Sequence, residues 1–356
     1  MTVLIYSLLI LFMLLILMKT EYNNGFFYIL SVFLVVMAGF RYGVGTDFLA
    51  YKNSFETGVY WYEEWGFVTL VELLTAVGLN AQGVFLVIAI LIQVIMFRGL
   101  RKLSNNYTVF LFSIFFYISL YYFNESLNII RQFLAMAIFI WNFDNVIKRN
   151  VFKFSIFIFI SYLFHASVLY FVPLYFLYPI LKKLMERKLI VYCLIAASYI
   201  LMHINFDNVI ESFLLSFNNN SGDVNSYGVY LDYYFDDYVK YELSFNLWTV
   251  LTVKMLISLY IIYNSKKYMD NLDFKNLYSV YIFGVMLVLT FSPMLIFRRL
   301  IYYVSIFEIL VFAIFAVKDS TFRVLIIIFA LFYFGVNLLF GFSTPMPYRI
   351  NLDIFG

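Results

Sequence analysis

Apolar runs close to twenty residues long recur along most of this chain, and no other feature limits its fold as strongly. A helix of ~20 such residues crosses a hydrocarbon core of ~30 Å. The runs lie at residues 2–18, 26–40, 82–98, 107–123, 126–142, 152–164, 166–181, 189–204, 246–263, 276–293, 297–317 and 322–340. The expected fold is all-α integral membrane, with about twelve transmembrane helices in a single polytopic domain over 1–356 and a recessed outer-face cavity. Large outer loops are expected at about 41–81 and 205–245. Within the first, Trp65 to Leu79 is amphipathic and suits a segment that dips into the interface.

Composition rules out a soluble domain. Charged residues make up 13% of the chain and hydrophobic residues 64%, whereas about a quarter of a soluble domain is charged. The first run, Thr2 to Met18, has no basic flank and no small-residue cleavage site, so it reads as a retained helix rather than a signal peptide. Cys193 is the single cysteine, which excludes an internal disulfide.

Charge orients the helices. Basic clusters occur at Arg98/Arg101/Lys102, Lys148/Arg149/Lys153, Lys182/Lys183/Arg187/Lys188, Lys266/Lys267/Lys275 and Lys318/Arg323. The positive-inside rule places such clusters in the cytoplasm. Two crossings fall between each consecutive pair, so all five fit on one side. The alternating loops are acidic, above all Asn205 to Ser244, and both termini then lie outside. Between Lys153 and Lys182 two crossings share fewer than thirty residues. Legs of ~14 residues reach only ~21 Å at ~1.5 Å per residue. The tip near His165 is therefore expected below the outer surface, in a recess that shelters chemistry.

Several polar residues map to that outer side. Arg41-Tyr-Gly-Val-Gly-Thr-Asp47, followed by Tyr51, joins an anion-binding group and a candidate base through two glycines that permit a tight turn. Asn128, Arg131 and Gln132 share one helix face by their spacing. Inside a membrane such groups are costly unless they face a polar cavity or bond across helices. His165 is a candidate base, acid or hydrogen-bond donor. Arg298 and Arg299 follow the helix break at Pro293, with Tyr302 one turn on, and paired guanidinium forks suit a diphosphate. Arg349 follows Pro347-Tyr348 in the tail. Arg41, Arg131, Arg298, Arg299 and Arg349 together run against the inside bias of basic residues, and an anionic ligand at the outer face explains them. The tyrosine-rich loop 205–244 reads mainly as a solvated surface loop, and no metal set is expected.

Arg41…Gly45-Thr46-Asp47…Tyr51, Glu64-Trp-Gly66-Phe67, Asn128…Arg131-Gln132, His165-Ala-Ser167, Arg298-Arg299 and Pro347-Tyr348-Arg349 occur in that order over nearly the whole chain. In this the sequence resembles the EpsG family of bacterial Wzy-type polysaccharide polymerases. The resemblance implies an enzyme that joins oligosaccharide repeat units carried on undecaprenyl diphosphate at the outer face of the plasma membrane. A sugar hydroxyl attacks the anomeric carbon and the lipid diphosphate leaves. Arg131, Arg298 and Arg299, then Arg41, would steady that anion, with Asn128, Gln132, Tyr302 and Arg349 beside them as substrate contacts. Asp47 or His165 would take the proton. The leaving group is already activated, so no cofactor is expected. Expected partners are the lipid-linked oligosaccharide, the bilayer, a flippase and a chain-length regulator, with no nucleic acid. The rival readings are a lipid-linked oligosaccharide flippase, another lipid-dependent glycosyltransferase or ligase, and an O-acyltransferase resting on His165. Charges gathered at one face, with no internal repeat, weigh against the transporter.

Overall fold

A computed structural model describes residues 2–18, 24–104, 106–203, 245–292, 295–340 and 348–355. Among the described residues the apolar runs are largely helical, although the run at 297–317 is divided between two helices and the run at 126–142 enters its helix only at Ile130. By length and composition, six stretches among the described residues qualify to cross a membrane: Ala81–Leu103, Tyr107–Ser126, Ala166–Leu184, Leu272–Phe291, Leu300–Lys318 and Ser320–Leu339. The chain is thus an all-α, multi-pass membrane protein. Its contacts divide into two compact units, Met1–Tyr178 with Ile306–Gly356, and Pro179–Ser305.

The first unit begins with α1 (Thr2–Met18) and α2 (Asn24–Phe40), then strand β1 (Arg41–Tyr42). Two short helices follow, α3 (Phe48–Thr57) and α4 (Trp65–Ala76), in the stretch expected to be an outer loop. Next come α5 (Ala81–Leu103), α6 (Tyr107–Tyr117), α7 (Ile130–Ile147) and α8 (Val151–Tyr162). Helix α5 packs on α7 and α2. A 3-10 turn, Ala166–Phe171, leads into α9 (Val172–Leu184). Helix α8 has 12 residues and reaches about 18 Å at ~1.5 Å per residue, so one leg of the hairpin at His165 is short, as expected. The other leg, Ala166–Leu184, is full length.

Two boundaries differ from the sequence reading. A nine-residue π-helix, Ile118–Ser126, joins α6 to the turn before α7, so α7 starts at Ile130. Asn128 therefore stands in that turn rather than on the helix face of Arg131 and Gln132. The run at 297–317 forms two helices, α13 (Leu295–Ser305) and α14 (Glu308–Lys318). The interruption sets Glu308 in the first turn of α14, where a carboxylate suits the helix dipole. There the buried Glu308 accepts a hydrogen bond from the Tyr121 hydroxyl at 2.9 Å.

Helix α15 (Ser320–Phe340) and strand β2 (Arg349–Ile350) complete the unit, and β2 pairs antiparallel with β1. The tail is stitched to the start of the chain. Tyr348, 1% exposed, donates to the Met37 carbonyl. The Asn351 amide donates to Phe40 at 2.9 Å, and the Asn80 amide to Ile354 at 3.1 Å.

The second unit contains α10 (Lys188–Leu201), α11 (Phe245–Asn264), α12 (Leu272–Phe291) and α13. In the first unit Asp144 holds both Lys102 and Lys148 at 3.0 Å, so two of the basic clusters share one helix end. In the second, Lys182 reaches Asn276 at 2.7 Å and Lys275 pairs with Glu186 at 2.6 Å, which brings two more clusters together.

Candidate active site

The site grows from a close approach of backbones. The N-terminus of α4 docks on the turn that ends α8, where the Phe67 amide donates to the Leu163 carbonyl at 3.2 Å. A Cβ on Gly66 would lie 2.5 Å from Leu163 Cβ and 2.8 Å from its carbonyl oxygen, so only glycine fits. This contact sets Glu64, two residues earlier, beside His165, two residues past Leu163. Glu64 Oε1 lies 3.9 Å from His165 Nε2.

The other carboxylate oxygen, Glu64 Oε2, takes a charge-assisted bond from Arg131 Nη1. Arg131 Nε donates to the Tyr51 hydroxyl at 3.1 Å. Aromatic rings surround the guanidinium, with the centroid of Tyr62 at 4.3 Å, Trp61 at 4.7 Å and Tyr51 at 5.9 Å. Such rings attract a cation through their faces. Side-chain exposure rises from 9% at Arg131 to 16% at Glu64 and 24% at His165, so the group opens toward its His165 side. Trp61 is 53% exposed. Burial pushes the Tyr51 and Tyr62 phenols above their ordinary range, against the pull of Arg131, so both keep their protons as donors. The buried Tyr62 hydroxyl has no hydrogen-bond partner among the described residues.

His165 caps the 3-10 turn. Its Nδ1 accepts the Ser167 amide at 3.2 Å and lies 2.7 Å from the Ser167 hydroxyl. An Nδ1 that accepts an N–H leaves the proton of the neutral ring on Nε2, the nitrogen nearer Glu64. That tautomer is assigned from the hydrogen bonds.

Asp47 sits at the N-terminus of α3, partly exposed, with the Thr46 hydroxyl at 3.4 Å. It stands one helical turn before Tyr51, whose amide donates to the Asp47 carbonyl at 3.0 Å. Asn128 fixes the loop that carries Asp47. Its Oδ1 accepts the Thr46 amide at 2.8 Å, and its Nδ2 donates to the Asn124 carbonyl at 2.6 Å. Gly45, at φ +103°, brings the loop against Leu127 and Asn128.

Arg41 is engaged elsewhere. It is 2% exposed and donates to three backbone carbonyls: Val44 at 3.1 Å, Ala38 at 2.5 Å and Leu127 at 3.0 Å. Its guanidinium lies 4.8 Å from the Phe85 ring centroid. Burial lowers its pKa to about 10, which still leaves it cationic at neutral pH. The structure thus makes Arg41 a fastener of the 38–44 and 127 backbone. Gln132 is buried next to Arg131 on α7. Arg349 is exposed on β2, opposite Tyr42. Arg298 and Arg299 are on α13, and their side chains lie outside the described residues, as do Pro293, Pro347 and the loop 205–244. Tyr302 is half-buried on α13. Among the described residues no group of three or more His, Cys, Asp or Glu could hold a metal ion.

Of the residues expected from sequence, the structure gathers Arg131 and His165, and it does so through Glu64. Glu64, Trp61 and Tyr62 were not among the expected site residues. Their signal is local: an aromatic cluster, Tyr60-Trp-Tyr62, followed by Glu63-Glu64-Trp65 and Gly66, the glycine of the close approach.

These features define a multi-pass helical membrane protein with a buried arginine paired to a part-buried carboxylate in an aromatic setting. The EpsG family model matches residues 24–350, nearly the whole chain, and the chain belongs to that family. EpsG is a polysaccharide polymerase-like family. No curated protein and no solved structure matches the chain.

Proposed function

We propose that this protein polymerises lipid-linked oligosaccharide repeat units at the outer face of the bacterial plasma membrane. The donor is a growing glycan on undecaprenyl diphosphate, and the acceptor is a sugar hydroxyl of another lipid-linked unit. The observation that carries the reading is the Arg131 guanidinium, buried among Tyr51, Trp61 and Tyr62 and paired with a carboxylate beside His165. A planar cation suits a departing diphosphate, and aromatic faces suit sugar rings. Fixed donors in a partly dehydrated site stabilise the charge that develops on the leaving group. Asp47, one turn from Tyr51, stands near enough in the chain to serve the same site.

The reading includes twelve crossings with the five basic clusters inside, which puts Arg131, Glu64 and His165 outside. Two pairs of clusters already share helix ends within their units. Arg298 and Arg299 remain a second diphosphate-binding pair in this proposal, tested by their own Lys variants.

Cells lacking the protein provide the test. A polymerase acts after flipping, so single lipid-linked repeat units should reach the outer leaflet and accumulate there. Repeat units trapped on the inner leaflet would contradict the proposal and favour the flippase.

A further inference from the structure

Glu64 divides its two oxygens between two partners. One is bonded to Arg131 and the other faces His165 Nε2 at 3.9 Å. The first bond occupies the cation that a diphosphate needs. The second relation bears on which group accepts a proton. His165 Nδ1 already accepts the Ser167 amide at 3.2 Å, so Nε2 carries the ring proton and has no lone pair to offer. The carboxylate that it faces has lone pairs to spare.

We propose that Glu64 is the proton acceptor of the reaction, held on Arg131 at rest and released when a diphosphate takes over that guanidinium. This rests on the polymerase reading and adds a catalytic residue and an order of events to it. The incoming diphosphate competes with Glu64 for one cation. Two anions close together in a partly buried site repel, so the carboxylate gives way as the diphosphate docks. The Tyr62 hydroxyl, buried and without a partner among the described residues, adds a neutral donor beside the guanidinium and helps the diphosphate to win. Freed from Arg131, the Glu64 oxygen that was bonded there has its lone pairs open to a proton. His165 Nε2–H orients it by donating to the oxygen that it faces.

The step then balances. The acceptor oxygen forms a bond to the anomeric carbon as the bond from that carbon to the diphosphate oxygen breaks. The bonding electrons leave with the lipid diphosphate, which Arg131 holds. The hydroxyl proton passes to the Glu64 carboxylate and from there to solvent water.

The test uses purified full-length protein in detergent, with two readouts. Affinity is measured for farnesyl diphosphate, with farnesol as the control for the tail. Ladder formation is measured with the lipid-linked repeat unit. Glu64→Gln keeps the size and polarity of the side chain and removes its charge. It should bind farnesyl diphosphate about tenfold more tightly, farnesol unchanged, because Arg131 is no longer neutralised. Its ladder rate should fall by about 10²–10⁴, the usual range for a general base. Weaker or unchanged diphosphate binding, or a ladder at the wild-type rate, overturns the proposal. Glu64→Ala gives an independent arm, in which added formate should restore part of the ladder rate. A role confined to packing gives no formate rescue, and that result counts against the proposal. If neither variant melts like the wild type, Glu64 is a structural partner of Arg131 and the proposal fails. If the wild type itself builds no ladder, the polymerase reading fails first.

Discussion

Glu64 and Arg131 stand 67 residues apart in the chain and form an ion pair whose side chains are 16% and 9% exposed. Neither partner is self-sufficient. Arg131 leaves the first turn of a buried helix, and Glu64 precedes a helix that lies among the loops. Each position depends on the other, and the pair joins the α4 segment to the helix core.

Substitution at Arg131 should separate charge from shape. Arg131→Lys keeps a cation for Glu64, so the protein should fold, but the planar fork is lost. Polymer should fall by about 10²-fold or more, the scale of losing one fixed donor to a developing anion. Arg131→Gln leaves a part-buried carboxylate without its cation and should also lower stability, by less than the ~3–5 kcal/mol of a fully buried pair. Polymer on gels, together with thermal melting of the purified protein, distinguishes the two. Wild-type polymer from Arg131→Lys would remove bidentate diphosphate recognition from the account.

Gly66 is held against Leu163 more closely than any side chain allows. Gly66→Ala should push α4 off the turn and cost about 1–3 kcal/mol, the usual range for overpacking. Because the same contact sets Glu64 beside His165, the folded fraction should also lose polymerising activity. A melting temperature and ladder rate equal to wild type would show that the close approach is not needed.

Arg41 should behave as a structural residue. Arg41→Lys cannot reach all three carbonyls that the guanidinium holds. Each lost bond leaves a buried carbonyl at a cost of about 1–3 kcal/mol. The expected result is less folded protein in membranes, with the KM for lipid-linked substrate unchanged in what remains. A raised KM at normal stability would return Arg41 to the substrate site.

Membrane orientation is open to single-cysteine labelling in a Cys193→Ser background. Cysteines at 61 and 165 should react with an impermeant reagent from outside, and a cysteine at the exposed position 187 only after the membrane is opened. Labelling of 187 from outside would invert the topology.

The helices were legible in the sequence because lipid demands long apolar runs. Their boundaries were less so. The π-helix at Ile118–Ser126 shifts the start of α7 and moves Asn128 from a helix face into a turn that clamps Thr46. Nothing in the apolar pattern marks that extra backbone turn. Arg131 was legible because a guanidinium in a membrane helix demands a partner. Arg41 looked alike, yet its partners are backbone carbonyls, which leave no trace in side-chain spacing. Glu64 was hidden for the opposite reason. A carboxylate in a polar loop needs no explanation until the fold sets it against Arg131 and His165.

The most direct measurement is the product made by purified protein in detergent, supplied with the lipid-linked repeat unit and no ATP or nucleotide sugar. Detergent removes the two compartments, so transport alone yields nothing new. The account predicts a ladder of glycans that lengthen by whole repeat units, with lipid diphosphate released in step, and no ladder from Arg131→Gln. Folded wild-type protein that leaves the cognate repeat unit unchanged would contradict it.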